Sequence, residues 1–177
     1  MKKQDSLNSE CCIEERDGKH LTFWVEGQLL GIPVKDVVQI IGMQEIVGIP
    51  ECPAYVRGLV CLRGEIFPVM DVRLRLGRSE VAYNERTCII VTRIGKDSFG
   101  LIVDGVDEVR DIPEEAITPL SRIRASWDSP CLTGIARLVT GQSGKENLIL
   151  IVNMTKLAGE DGFLMSAHAV KGELQYV

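Results

Sequence analysis

From Leu21 onward the chain is a succession of short apolar runs, four to eight residues long, cut by Gly, Pro and Asp. The runs are Leu21–Glu26, Leu29–Val34, Val37–Ile41, Arg57–Leu62, Ile66–Val69, Thr87–Ile94, Phe99–Val103, Val106–Ile112, Leu132–Val139 and Leu148–Met154. They are rich in Val and Ile, whose branched side chains suit a pleated surface, and their length and spacing predict strands. A helix needs apolar residues at 3.6 spacing over ten or more positions, and few windows offer that. Val72–Leu76 after Asp71, a plausible N-cap, is one short helical candidate. Thr155–Ala158 and Phe163–Leu174 are the others.

Turns are explicit between the runs. Glu26-Gly27-Gln28, Arg63-Gly64-Glu65 and Gly95-Lys96-Asp97 each join two runs through a few polar residues with Gly, the hairpin signature. Many runs are apolar at consecutive positions, which predicts strands covered on both faces. Two β modules packed together would provide that cover, whereas one open sheet would alternate more cleanly. The prediction is an all-β fold in one domain, since neither Pro113-Glu114-Glu115 nor Ser121–Pro130 is long enough to be a linker. Residues 1–18 read as a frayed polar arm, 19–158 as the folded domain and 159–177 as a tail with a helical candidate.

Composition narrows the function. Of 177 residues 45% are hydrophobic and 25% charged, a globular balance that needs no metal or disulfide staple. A net charge of −5 argues against a nucleic-acid partner, which would require a basic face. No apolar stretch is long enough to insert in a membrane, and the start Met-Lys-Lys-Gln-Asp-Ser lacks the apolar core of a secretory signal, which predicts a cytoplasmic protein. The six cysteines, at 11, 12, 52, 61, 88 and 131, form no Cys-x-x-Cys pair, and His20 and His168 are the only histidines. Reduced thiols and no metal or other cofactor are expected.

Catalytic patterns fail one by one. Gly141-Gln142-Ser143-Gly144-Lys145-Glu146 has the wrong spacing for a phosphate loop and leads into a strand. Ser143 lacks the Gly-x-Ser-x-Gly frame. Asp104, Asp107, Glu108 and Asp111 around Gly105 do not make a calcium loop and read as a solvated turn. A thiol enzyme pairing Cys61 or Cys88 with His20 is the one catalytic alternative, and core cysteine is the simpler reading of both.

Two stretches carry a family resemblance. Pro53-Ala54-Tyr55-Val56-Arg57-Gly58-Leu59-Val60-Cys61-Leu62-Arg63-Gly64-Glu65-Ile66-Phe67-Pro68-Val69-Met70-Asp71-Val72-Arg73 is the first, and Phe99-Gly100-Leu101-Ile102-Val103-Asp104-Gly105-Val106-Asp107-Glu108-Val109 the second. They resemble the CheW family, chemotaxis adaptors that couple receptors to the histidine kinase CheA. Gly31-Ile32-Pro33-Val34, Val37-Val38-Gln39-Ile40, Ile49-Pro50, Leu132-Thr133-Gly134-Ile135-Ala136 and Leu148–Asn153 fall in the same order, so the resemblance covers about residues 20–158.

The resemblance implies two intertwined five-stranded SH3-like barrels with short helices and no chemistry of their own. It implies two partners, the regulatory domain of CheA and the cytoplasmic hairpin tip of a methyl-accepting chemoreceptor, with localisation at membrane receptor arrays. Arg63 matches the arginine tied to receptor and kinase coupling; its alternative is a structural guanidinium bridging Asp71 or nearby carbonyls. Val37 and Gln39 fall at receptor-facing positions, with Gln39 neutral where the family usually has Glu. Gly58, Cys88 and Ile89 are further candidates on that surface, core packing being the alternative for the last two. Cys61 stands where Asn is usual. A parallel pathway serving pili, biofilm or development would use an adaptor of the same kind. A CheV-type protein would need room for a receiver domain after residue 158, and a detached kinase regulatory domain is the remaining relative.

Overall fold

The computed structural model describes residues 18–123, 131–140, 142 and 144–159. The polar arm with Cys11 and Cys12, Ser143, His168 and the helical candidate Phe163–Leu174 lie outside them.

All ten apolar runs are strands. They are β1 (Lys19–Val25), β2 (Gln28–Pro33), β3 (Val37–Gly42), β4 (Val56–Leu62), β5 (Glu65–Asp71), β6 (Cys88–Ile94), β7 (Asp97–Val103), β8 (Gly105–Asp111), β10 (Leu132–Thr140) and β11 (Lys145–Val152). An eleventh, β9 (Ile117–Pro119), is only three residues long and ends in Pro, so it carries no strand pattern. Helix α1 (Val72–Arg75) starts where expected, with the Asp71 carboxylate accepting from the Arg73 N–H. Helix α2 (Leu120–Ile123) is a single turn, and α3 (Met154–Ala158) is capped by Asn153 accepting from the Lys156 N–H.

The strands form two sheets. One has six strands in the order β8-β1-β2-β11-β10-β9, and the other five in the order β3-β6-β7-β5-β4. The expectation of five and five is corrected by β9, which pairs antiparallel with β10 at the edge. The five-stranded sheet curls until its edges meet, since Val47, just beyond β3, bridges Leu59 of β4. Two-residue turns set the hairpin registers. Glu26-Gly27 and Arg63-Gly64 both place their two central residues at positive φ, as a type I′ turn requires.

Burial explains the run pattern. Phe67, Val69, Ile89, Val91 and Ile102 fill the inside of the five-stranded sheet. Leu29, Ala136, Ile149 and Ile151 do the same for the six-stranded one. Between the sheets lies a third core made by both: Leu21, Phe23, Leu30 and Ile32 meet Met70, Ile90, Phe99 and Leu101. Strands such as β2, β6 and β7 therefore send alternate residues into two different cores, and both sets are greasy. Gly100 marks how tight this is, because a Cβ there would sit 2.7 Å from methyl carbons of both Ile89 and Val69.

The described strands pass from one sheet to the other at two places. The first is the 3₁₀ turn Val34–Asp36 between β2 and β3, which has no side-chain cap. The second is Asp104, the single residue between β7 and β8. There the Asp104 N–H donates to the Trp24 carbonyl, and its carboxylate accepts from the Glu26 N–H at 2.7 Å and from the buried Arg73 guanidinium. Arg73 also donates to the Val81 carbonyl.

Candidate functional site

Most of the residues named from sequence belong to the five-stranded sheet, and its registers show how they lie. Gln39 pairs with Val91, Val91 with Gly100, Gly100 with Val69 and Val69 with Gly58, a single row across all five strands. Gln39 and Gly58 thus sit on the two edge strands of one row. Val37 pairs with Thr92, next to Arg93, and Arg93 reaches Glu65 of the β4–β5 hairpin at 3.9 Å. That contact brings the Arg63 hairpin to the same end of the sheet as Val37.

Arg63 is exposed, with φ of 50°, and no described residue offers it a hydrogen bond or ion pair. The alternative of a guanidinium bridging Asp71 does not hold, because Asp71 is almost fully buried and occupied by the Arg73 N–H and the Tyr83 hydroxyl. An arginine in the left-handed region costs about 1 kcal/mol relative to Gly or Asn. The strain is local and has no compensating hydrogen bond or ion pair among the described residues.

Gly58 has a structural cause of its own. Its φ is 144°, and a Cβ would lie 2.1 Å from the Val47 carbonyl oxygen. Only glycine admits the close approach that lets Val47 and Leu59 exchange hydrogen bonds of 2.8 and 2.9 Å and join the sheet edges. Ile89 is fully enclosed in the inner core, so its side chain cannot touch a partner, and its assignment to the docking surface is corrected. Cys88 is half-buried against the inter-sheet core, and burial pushes its thiol up despite a backbone hydrogen bond from Val106. A raised thiol is the opposite of an activated nucleophile. Cys61 is exposed on β4, in the other sheet from His20, whose Nδ1 is engaged by the Gly18 carbonyl at 3.1 Å.

The residues missed from sequence are Val38 and Ile40. On the edge strand β3 they are 46% and 45% exposed, while Val37, Gln39 and Ile41 are half-buried; a bulge between Val37 and Gln39 turns Val37 toward the inter-sheet core and leaves Ile41 against the inner core of the five-stranded sheet. Ile40 pairs with Ile90 of the inter-sheet core, so it extends that core's apolar face out to the surface, with Val38 beside it at the bulge. The signal was the unbroken run Val37–Ile41, read as buried on both faces when one face is open.

Two further observations bear on chemistry. A cleft of about 740 Å³, lined in part by His20, Lys35, Asp36, Ile117 and Ile151, opens at the end of the six-stranded sheet and contains none of the predicted site residues. Among the described residues no group of three His, Cys, Asp or Glu converges to hold a metal, and no helix is long and apolar enough to cross a membrane.

Known proteins resemble this chain over most of its length. Residues 19–161 match the family described as CheW-like domain. The chain is 28% identical to the chemotaxis protein CheW of Klebsiella aerogenes over 151 residues, covering 85% of this chain and 87% of that protein. It is 29% identical to protein FrzA of Myxococcus xanthus over 128 residues, covering 72% and 77%. The crystal structure of the scaffolding protein TtCheW from Thermoanaerobacter tengcongensis superposes with a TM-score of 0.70 at 30% identity, over 84% of this chain and 97% of that one.

Proposed function

The chain belongs to the CheW family, and from that premise we propose that it is a non-catalytic cytoplasmic adaptor joining a chemoreceptor's hairpin tip to the regulatory domain of the histidine kinase CheA. The observation that carries this reading is the exposed apolar pair Val38 and Ile40 on β3, on the same sheet as the unpaired Arg63. An amphipathic helical hairpin has an apolar stripe for the first and carboxylate or carbonyl groups for the second. Val37 and Gln39 belong to the same strand and are half-buried.

Coupling needs no chemistry in such a protein. Binding receptor and kinase together, it shifts the kinase between two states by whatever difference in affinity it has for them. Individual contacts of about 800 Å² per partner or less gain strength from repetition in an array. An adaptor of a parallel chemosensory pathway is consistent with the same family membership, and the receptor that binds decides between them.

Co-sedimentation with candidate receptor hairpins and with the kinase regulatory domain tests the reading. Wild type is expected in the pellet with each, and Ile40→Glu only with the kinase domain. Wild type that binds neither would sink the proposal.

A further inference from the structure

Beside the passage from β7 to β8 lies a hollow of about 590 Å³, lined by Trp24, Asn84, Arg86, Asp104, Gly105 and Val106. Trp24 is 39% exposed, although Phe23 and Val25 on either side of it are buried. Its partner across the ladder on β8 is Gly105, which has no side chain to lay over the indole. Nothing in the backbone demands glycine there. Its φ is not positive, and a Cβ would meet only Arg86, at 3.9 and 4.0 Å, an ordinary contact distance. The missing side chain is what keeps the hollow open.

The hollow also has a defined charge. Both carboxylate oxygens of Asp104 are taken, one by the buried Arg73 guanidinium and the other by the Glu26 N–H. Arg86 is exposed, and no described residue offers its guanidinium a hydrogen bond or ion pair. Its backbone is fixed, since its N–H donates to the Asn84 side chain at 2.8 Å while the Asn84 N–H donates to the Thr87 hydroxyl at 2.9 Å. Glu85 lines a neighbouring hollow and not this one. The unpaired charge in the lining is therefore positive.

We propose that this hollow docks an acidic segment of a partner protein, one that sets an aromatic side chain against the Trp24 indole and a neighbouring carboxylate on the Arg86 guanidinium. An open indole and an unpaired guanidinium are the side chains that most often anchor protein interfaces, the first by ring contact and the second by charge-assisted hydrogen bonds. One cation on a chain of net charge −5 does not suit a nucleic acid. The site is separate from the Arg63 hairpin. Arg86 comes just before β6, and Arg93, which reaches that hairpin through Glu65, lies near the strand's far end, so about 20 Å of strand separates the two. The proposal goes beyond the adaptor reading and stands or falls without it.

The probe is the peptide Ala-Asp-Phe-Ala, acetylated and amidated so that the aspartate is its only charge, titrated into the full chain and followed by NMR. Saturable shifts of the Trp24 indole N–H and the Gly105 amide are expected, with a Kd of about 1 mM or below. Gly105→Val, which lays a side chain into the hollow, and Arg86→Gln are each expected to weaken binding at least about fivefold with an unchanged melting temperature. Asn for Asp in the peptide is expected to weaken it by a similar factor. No saturable shift at Trp24 in wild type up to about 10 mM peptide overturns the proposal. So does either variant, or the Asn peptide, binding as tightly as the original pair. N-acetylphenylalanine, a free aromatic carboxylate, binding as tightly as the peptide would make this a small-molecule site and overturn it too. If Gly105→Val does not fold, Arg86→Gln, at an exposed position, decides alone.

Discussion

The Tyr83 hydroxyl donates a 2.9 Å hydrogen bond to Oδ2 of Asp71, whose other oxygen caps α1 through the Arg73 N–H. The phenol is thereby pushed up to about 12, by burial first and then by the bond to Asp71 and its charge. An ordinary tyrosine titrates near 10. A proton held more tightly in the folded state stabilises it fully below that ordinary value, and the stabilisation is lost as pH rises from there through the folded pKa. Melting temperature is therefore expected to fall between about pH 10 and 12 in wild type, with a shallower fall in Tyr83→Phe. At neutral pH Tyr83→Phe is expected to cost about 1–3 kcal/mol, since the Asp71 carboxylate loses a partner. Denaturant titration of both proteins across pH checks both statements, and equal slopes at alkaline pH would refute the first.

Arg63 offers a trade between stability and binding. Replacing it with Asn, which tolerates a left-handed backbone, is expected to raise stability by about 0.5–1 kcal/mol and to weaken the kinase or receptor complex. Arg63→Ala is expected to lose binding as well, with stability within about 1 kcal/mol of wild type. If Arg63→Ala unfolds the protein, the guanidinium has a structural role after all.

Gly58→Ala sets a backbone carbonyl against a methyl group. The expected loss is about 3 kcal/mol or more, combining a forbidden backbone region with overpacking. Faster amide exchange at Val47 and Leu59 is expected alongside, because their mutual hydrogen bonds close the sheet. A variant that melts like wild type but no longer binds the kinase domain would make Gly58 a contact residue instead.

The thiols are expected to separate by environment. Cys61 is exposed, whereas burial pushes both Cys88 and Cys131 up. Under brief alkylation at neutral pH, followed by peptide mass analysis, Cys61 should react well before those two. Loss of partner binding on Cys61 modification would place the β4 surface within an interface. Loss of a hydrolytic or transfer activity would revive the thiol-enzyme alternative.

Strands such as β2, β6 and β7 were legible because they send apolar residues into two cores, which leaves unbroken apolar runs in the sequence. The hairpins were legible from Gly27, Gly64 and Gly95, where the turn itself demands positive φ. Strand β9 was not, since three residues ending in Pro119 carry no period, and α2 is one turn. In the candidate site, Arg63 was found by resemblance, but its lack of a partner among the described residues depends on who reaches Asp71. Gly58 owes its identity to Val47, which arrives from another segment, and no local pattern records that approach. Ile89 and Val38 look alike in sequence; only the position of β3 at a sheet edge separates a sealed side chain from an open one.

The five-stranded sheet is built from one continuous stretch, β3 to β7, while the six-stranded sheet takes strands from both sides of it. Its central parallel pairing joins Leu29 to Ile149. During synthesis β1 and β2 emerge early and must wait, half-covered, until nearly the whole chain has left the ribosome. The inserted sheet can close first and shelter their apolar face in the meantime. Truncation before β11 should therefore leave a nascent chain that engages chaperones, even though one of its two sheets is already complete.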